Sequence, residues 1–172
     1  AGLIPKLSGK IYSDVRRRGG MGYIPQRLGL VRHASVYHNV ELGARCGVKV
    51  NSESGNLFNW SKRKSVVIRQ SVEQVGLSDK INEPIRRLSG GQQRRVATAR
   101  AIAQNPELVL ADEFLSELDK ENADLIISLV KEYVETSRCG MLFVEHNVER
   151  AEQIADRIID LSEFEEAVNA EE

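Results

Sequence analysis

The sequence predicts an α/β fold: a mostly parallel sheet flanked by helices, with a helical sub-domain at its side. Three observations predict it. Two continuous apolar runs, "LVLA" at residues 108–111 and "MLFVE" at residues 141–145, read as strands buried on both faces, which is the mark of a parallel sheet. From about residue 90 onward the order is helix, strand, helix, strand, helix, strand, the alternation that builds such sheets. Residues 34–95 are instead mainly helical and form the side sub-domain.

Each element has its own signal. Residues 9–24 read as short strands and turns, broken at Gly19–Gly20 and closed by "MGYIPQ" at 21–26. Residues 34–43 read as a short helix. Residues 44–60, "ARCGVKVNSESGNLFNW", read as a polar loop. Residues 62–76 show helical spacing through Val66, Val67, Ile68, Val72 and Val75, with Gly76 as a C-cap. A turn region follows at 77–85. A helix then runs from about Gly90 to Gln104 and stops at Asn105–Pro106. The strand at 108–111 precedes a long amphipathic helix over 119–137. The strand at 141–145 precedes a helix over 147–156, and "RIIDL" at 157–161 reads as a last strand. The acidic stretch 162–172 is expected to be a poorly ordered tail or a frayed helix.

The composition bounds the function classes. A chain of 172 residues with 41% hydrophobic and 28% charged residues has the make-up of one globular domain with a sizeable core. No apolar run approaches the ~18 residues of a membrane span, and Pro5 and Lys6 interrupt any secretory signal. Cys46 and Cys139 have no metal or redox spacing, so both are expected to be reduced and structural, which suits the cytosol. The net charge of −1 hides an asymmetry: residues 1–100 hold 19 Lys/Arg against 6 Asp/Glu, and residues 101–172 hold 5 against 19. The basic half is either a solvated face or a surface that meets phosphates or nucleic acid.

The chemistry gathers at strand ends, where open parallel sheets place their ligands. "MGYIP" ends in Gln26, "LVLA" in Asp112–Glu113, and "MLFVE" in His146. Asp112 can hold a hydrated Mg²⁺ on nucleotide phosphates. Glu113, one step further out, can take a proton from an attacking water. Alternatively the two are a solvated acidic pair. His146 can contact a γ-phosphate or simply cap its loop. His33 and His38 lack ligand spacing. Ser89–Gly90–Gly91 opens the helix at 90–104. Free N–H groups and partial positive charge at a helix N-terminus bind anions, and two glycines admit phosphate close to the backbone. The plain alternative is an ordinary Ser N-cap. "LSGKI" at 7–11 is not a phosphate loop: Ile4 stands five before Gly9 where Gly is needed, and Ile11 where Ser or Thr would bind Mg²⁺.

Taken together, "YIPQ", then "LSGGQQRRVATARAIAQNPELVLADEFLSELD" at 88–119, then "FVEH" at 143–146 resemble the ATP-binding cassette (ABC) ATPases in order and spacing. "LSGGQ" resembles the family signature, "LVLADE" the Walker B strand and "SELD" the D-loop; Gln26 resembles the Q-loop glutamine and His146 the switch histidine. The resemblance covers about residues 1–161 and implies a P-loop NTPase-like fold. It implies ATP and Mg²⁺ as ligands, with Glu113 and His146 catalytic. It further implies that Gln26, Ser89, Gly90, Gly91, Gln92, Asp112 and Asp119 bind the nucleotide, with Asp112 and Gln26 on the metal. The family pattern is a head-to-tail pair of such domains, homo- or heterodimeric, on transmembrane permease subunits at the inner face of the cell membrane, with no direct nucleic-acid contact. Residues 34–60 faintly resemble phosphonate-type importers.

The chain departs from the family pattern in places. Phe114 stands where Pro is usual, Glu117 where Ala is usual, and an acidic tail replaces a Gly-containing hairpin. The Walker A loop and the adenine-stacking aromatic belong upstream of Ala1, so residues 1–172 read as a partial cassette expected to bind ATP poorly and hydrolyse little alone. Two other functions stay open: a non-hydrolysing partner or scaffold cassette, and a soluble ATPase of the same superfamily acting on nucleic acid.

Overall fold

The structure, a computed structural model, describes residues 19–47, 57–116 and 118–161 and the positions 10, 12 and 15. Three parallel strands, β1 (Met21–Ile24), β2 (Leu108–Asp112) and β3 (Gly140–Val144), lie in the order β1-β2-β3. Met21 pairs with Leu108 and Leu108 with Gly140, so β2 and β3 end level, at Asp112 and Val144, and β1 one position earlier, at Ile24. Helices α1 (Val36–Gly47), α2 (Leu57–Gln74) and α3 (Gly90–Ala103) lie between β1 and β2 in the chain. Helix α4 (Lys120–Ser137) links β2 to β3, and α5 (Val148–Ile154) follows β3. A parallel pair needs such crossovers because a short turn reverses the chain and so joins only antiparallel strands.

Among the described residues there are two cores, and α3 belongs to both. Val36, Val40 and Ala44 of α1, Ile68 and Val72 of α2, and Val96, Ala99 and Ala103 of α3 close the helical core. Ala97 and Ala101 of the same helix pack with Ile24, Val109 and Ala111 of the sheet, and with Ile126, Ile127 and Val130 of α4. A helix buried on both sides must be built from small residues, hence "VATARAIA". The boundary expected near residue 95 falls inside this shared helix.

Several elements differ from the sequence reading. The expected loop 44–60 loses both ends to helix: α1 continues to Gly47 and α2 starts at Leu57. The reason is close packing. A Cβ on Gly43 would lie 1.9 Å from the Arg100 carbonyl oxygen, and one on Gly47 2.0 Å from that of Gln104. These glycines are therefore contact points of α1 on α3, not helix breakers. Gly76 does end its helix as expected, at φ +65°. β3 is half-buried on one face, through Met141 and Phe143, and exposed on the other: Leu142 is 64% exposed and Val144 48%. Residues 157–160 form no strand. Ile158 and Ile159 are exposed, because strand propensity becomes a strand only where an edge and a packing surface receive it. Of the strands expected over 9–24, the described part is Met21–Ile24; the tail at 162–172 lies outside the described residues.

Candidate nucleotide-hydrolysis site

Because the three strands end within one residue of each other, the residues just beyond them meet. Gln26 follows β1 after Pro25, Glu113 follows β2 directly, and His146 follows β3 after Glu145. Gln26 Nε2 donates to Glu113 Oε2 at 2.6 Å, and His146 Nε2 lies 3.0 Å from Glu113 Oε1. One carboxylate thus has an amide on one oxygen and an imidazole on the other. His146 is well exposed and Glu113 is one-quarter exposed, so the cluster faces solvent on the imidazole side.

The backbone at Glu113 is held in an unusual shape. Its φ is +42°, in the left-handed region, which costs a side-chain-bearing residue about 1–2 kcal/mol. Its N–H donates to Val144 O at 3.1 Å, and its carbonyl accepts from Ser116 N at 3.0 Å. This kink turns the chain sharply at the end of β2 and sets the Glu113 carboxylate between its two neighbours. Asp112 precedes the kink on the same sheet face as Leu108 and Leu110, half-buried.

At the mouth of α3, Ser89 is the N-cap. Its Oγ accepts from Gln92 N at 3.3 Å, and Gln92 Oε1 accepts from Ser89 N at 3.1 Å, forming a capping box. The Ser89 hydroxyl proton remains free to donate. Nothing lies within 4 Å of where a Gly90 Cβ would stand, so that side of the backbone is open to a ligand. Gly91 is different: a Cβ there would meet the Asn122 side chain at 2.9 Å, so the signature turn packs against the start of α4. Asp119 caps that helix through Asn122 N at 2.8 Å, and this bond holds its carboxyl below the usual carboxylate range.

Sequence reasoning missed the residues that fix these loops. Arg100, on α3, donates to Leu28 O at 2.7 Å and Gly29 O at 2.8 Å; burial lowers its pKa from the ordinary guanidinium value. Gln104 reaches Gly19 O and Met21 O, and Arg150 of α5 reaches Leu115 O and Leu118 O. Asn39, fully buried, accepts from Val31 N and donates to Val31 O and Ser35 O. Long polar side chains on an otherwise small, apolar helix were the available signal. A cleft of about 630 Å³ lies between the Gln26 loop, the start of α3 and residues Ser116 and Leu118.

The loops beyond three parallel strands thus bring a carboxylate, an amide and an imidazole together at one sheet edge. The sequence profile of the family described as ABC transporter matches residues 1–116, and the chain belongs to that family. It is 38% identical over 152 residues to a phosphonates import ATP-binding protein of Trichodesmium erythraeum, covering 88% of this chain and 58% of the relative. It is 36% identical over 142 residues to a hypophosphite import ATP-binding protein of Stutzerimonas stutzeri, covering 83% and 41%. A methionine import ATP-binding protein of Clostridioides difficile matches at 35% over 158 residues, covering 90% and 44%. Two solved structures share the fold. An inward-facing ABC transporter of metal-chelate type aligns at TM-score 0.74 and 25% identity, over 90% of this chain and 58% of that one. A dimeric ATP-binding cassette in a post-hydrolysis state with ADP and phosphate aligns at 0.65 and 27%, over 77% and 55%. The chain spans only 41–58% of the length of these curated relatives.

Proposed function

We propose that the chain supplies the signature, Walker B and switch parts of an ATP-hydrolysing subunit that powers import across a membrane. The observation that carries this is the convergence of Gln26 and His146 on the two oxygens of Glu113. Glu113 takes the proton of a water attacking the γ-phosphate, and His146 orients that water and the carboxylate. Gln26 senses the site from the loop that leads into the helical sub-domain. The amides of Gly90 and Gly91 and the Ser89 hydroxyl receive the terminal phosphate of an ATP seated on a second nucleotide-binding domain, a geometry favoured by the open backbone at Gly90.

Asp112 and Gln26 would supply a carboxylate and an amide oxygen to Mg²⁺, which takes few protein ligands and is otherwise held by phosphates and water. When bound, Mg²⁺ supplies charge neutralisation on the phosphates. Among the described residues no cluster of three or more His, Cys, Asp or Glu competes as a metal site. Transmembrane permease subunits provide the path through the membrane, and the chain itself sits on the inner face, a reading supported by the import ATP-binding relatives; no described helix is long and apolar enough to cross a membrane. The relatives' names favour a phosphorus oxyanion as cargo.

The test is Glu113→Gln in the transporter complex purified through a tag on this chain. Loss of a general base lowers turnover about 10²–10⁴-fold while ATP binding persists. Turnover within twofold of the parent would refute the assignment. Uptake of phosphonate against methionine by the same complex tests the cargo.

A further inference from the structure

We infer that Arg94 is a positioning residue that holds the three loops of the hydrolytic site in register with the signature helix. The inference rests on Glu113 being the general base. Arg94 sits one turn into α3, is 5% exposed, and its guanidinium faces the site from inside. Nη1 donates to Gln26 O at 3.3 Å and Glu113 O at 3.5 Å. Nη2 donates to Ser116 O at 3.1 Å and Ser116 Oγ at 3.3 Å. One planar fork therefore touches the loop after β1, the kink after β2 and the turn before α4.

The chemistry of the fork explains why it has to be arginine. Five N–H donors in fixed geometry serve several carbonyls at once, whereas a lysine ammonium on the same stem is a single mobile point. A buried guanidinium on backbone carbonyls fixes the backbone, and here it fixes the peptide of a residue at φ +42°. The Glu113 carboxylate and the Gln26 amide are 2.6 Å apart only while their two main chains keep this spacing. The same helix carries Ser89–Gly90–Gly91 at its mouth, so a rotation of α3 at the signature moves the anchor of both loops. Arg94 thereby transmits closure at the signature to the carboxylate, without itself touching the nucleotide.

The experiment compares Arg94→Lys, which keeps the charge, and Arg94→Met, which keeps the packed stem without donors, in the purified transporter complex. The surface variant Arg87→Lys serves as control, since Arg87 is exposed and pairs with Glu83. The expected result is a fall in kcat of about 10–100-fold for both, the scale of a misplacement near 1 Å, with KM for ATP within about twofold. Combining Arg94→Lys with Gln26→Ala should cost no more than the larger single change, because both act through one cluster. A kcat that falls only in proportion to the unfolded fraction, measured by thermal unfolding, would show a merely structural role and overturn the inference. So would an equal loss confined to KM, or full additivity with Gln26→Ala. Glu113→Gln run alongside separates the two levels. If it leaves turnover intact, the functional reading itself fails. If it abolishes turnover while both Arg94 variants remain fast, only the positioning role fails.

Discussion

Substituting Gly43 by Ala should unsettle the whole assembly of α1 on α3. The new Cβ would stand 1.9 Å from the Arg100 carbonyl oxygen and 2.9 Å from its carbonyl carbon, both main-chain atoms that no rotamer can move. Reaching ordinary contact requires the helices to part by roughly 1.5 Å. That loosens Val36, Val40 and Ala44, all fully buried, against Val96, Ala99 and Ala103. Overpacking of this kind costs about 1–3 kcal/mol, here at the upper end because backbone faces backbone. Alanine returns up to about 1 kcal/mol of helix propensity. The clash wins, with a net loss of about 2 kcal/mol, which lowers the urea midpoint by about 1 M for a slope near 2 kcal/mol/M. Far-UV circular dichroism of the purified chain reads this directly. Gly90→Ala is the counter-case, since nothing lies within 4 Å of its Cβ position; it should leave the midpoint unchanged or raise it. A Gly43→Ala midpoint equal to or above the parent's would refute the close-packing explanation.

Other outcomes follow from the same geometry. Lys64 Nζ lies 2.6 Å from Glu41 Oε1, and this bond lowers the Glu41 pKa from its ordinary 4.5. A depressed carboxylate stabilises the fold above the unfolded-state pKa and loses that contribution as pH falls through the folded one. Acid titration of stability should therefore show a loss that begins near pH 4.5 and deepens below it; Lys64→Ala should remove about 1–3 kcal/mol at pH 7 and flatten that dependence, as chemical denaturation will show. Asn39→Ala strands the Val31 N–H, while the Val31 and Ser35 carbonyls keep the Ala34 and Asn39 amides, and should cost about 1–3 kcal/mol in the same assay. Ser89→Ala breaks the capping box and should cost about 1 kcal/mol, with a separate loss of ATP turnover in the complex.

Much of this was legible in the residues, for physical reasons. Apolar runs of strand length announced β2 and β3, and their C-terminal ends located Glu113 and His146 before any coordinates. The Ser-Gly-Gly entry and the Asn-Pro exit bounded α3. What was not legible depends on partners distant in the chain. Gly47 read as a loop residue, and Gly43 as the end of a short helix, because the value of both lies in the backbone of α3, some 57 residues away. Residues 157–161 read as a strand because propensity does not state whether an edge is waiting. The roles of Arg94, Arg100 and Arg150 were not legible because the pattern does not say which distant carbonyls a guanidinium meets. The positive φ at Glu113 was equally silent, since nothing in "ADEF" demands it.

The most direct test mixes two inactive variants. Gly90→Val closes the open backbone at the signature, and Glu113→Gln removes the base. If each phosphate is shared between the signature of one copy and the carboxylate of the other, the mixed pair contains one intact site. ATP hydrolysis should then return to about a quarter of the parent rate after random reassembly of a two-fold pair. No recovery beyond the two separate variants, with mixed pairs shown to form, would mean that signature and carboxylate serve the same copy.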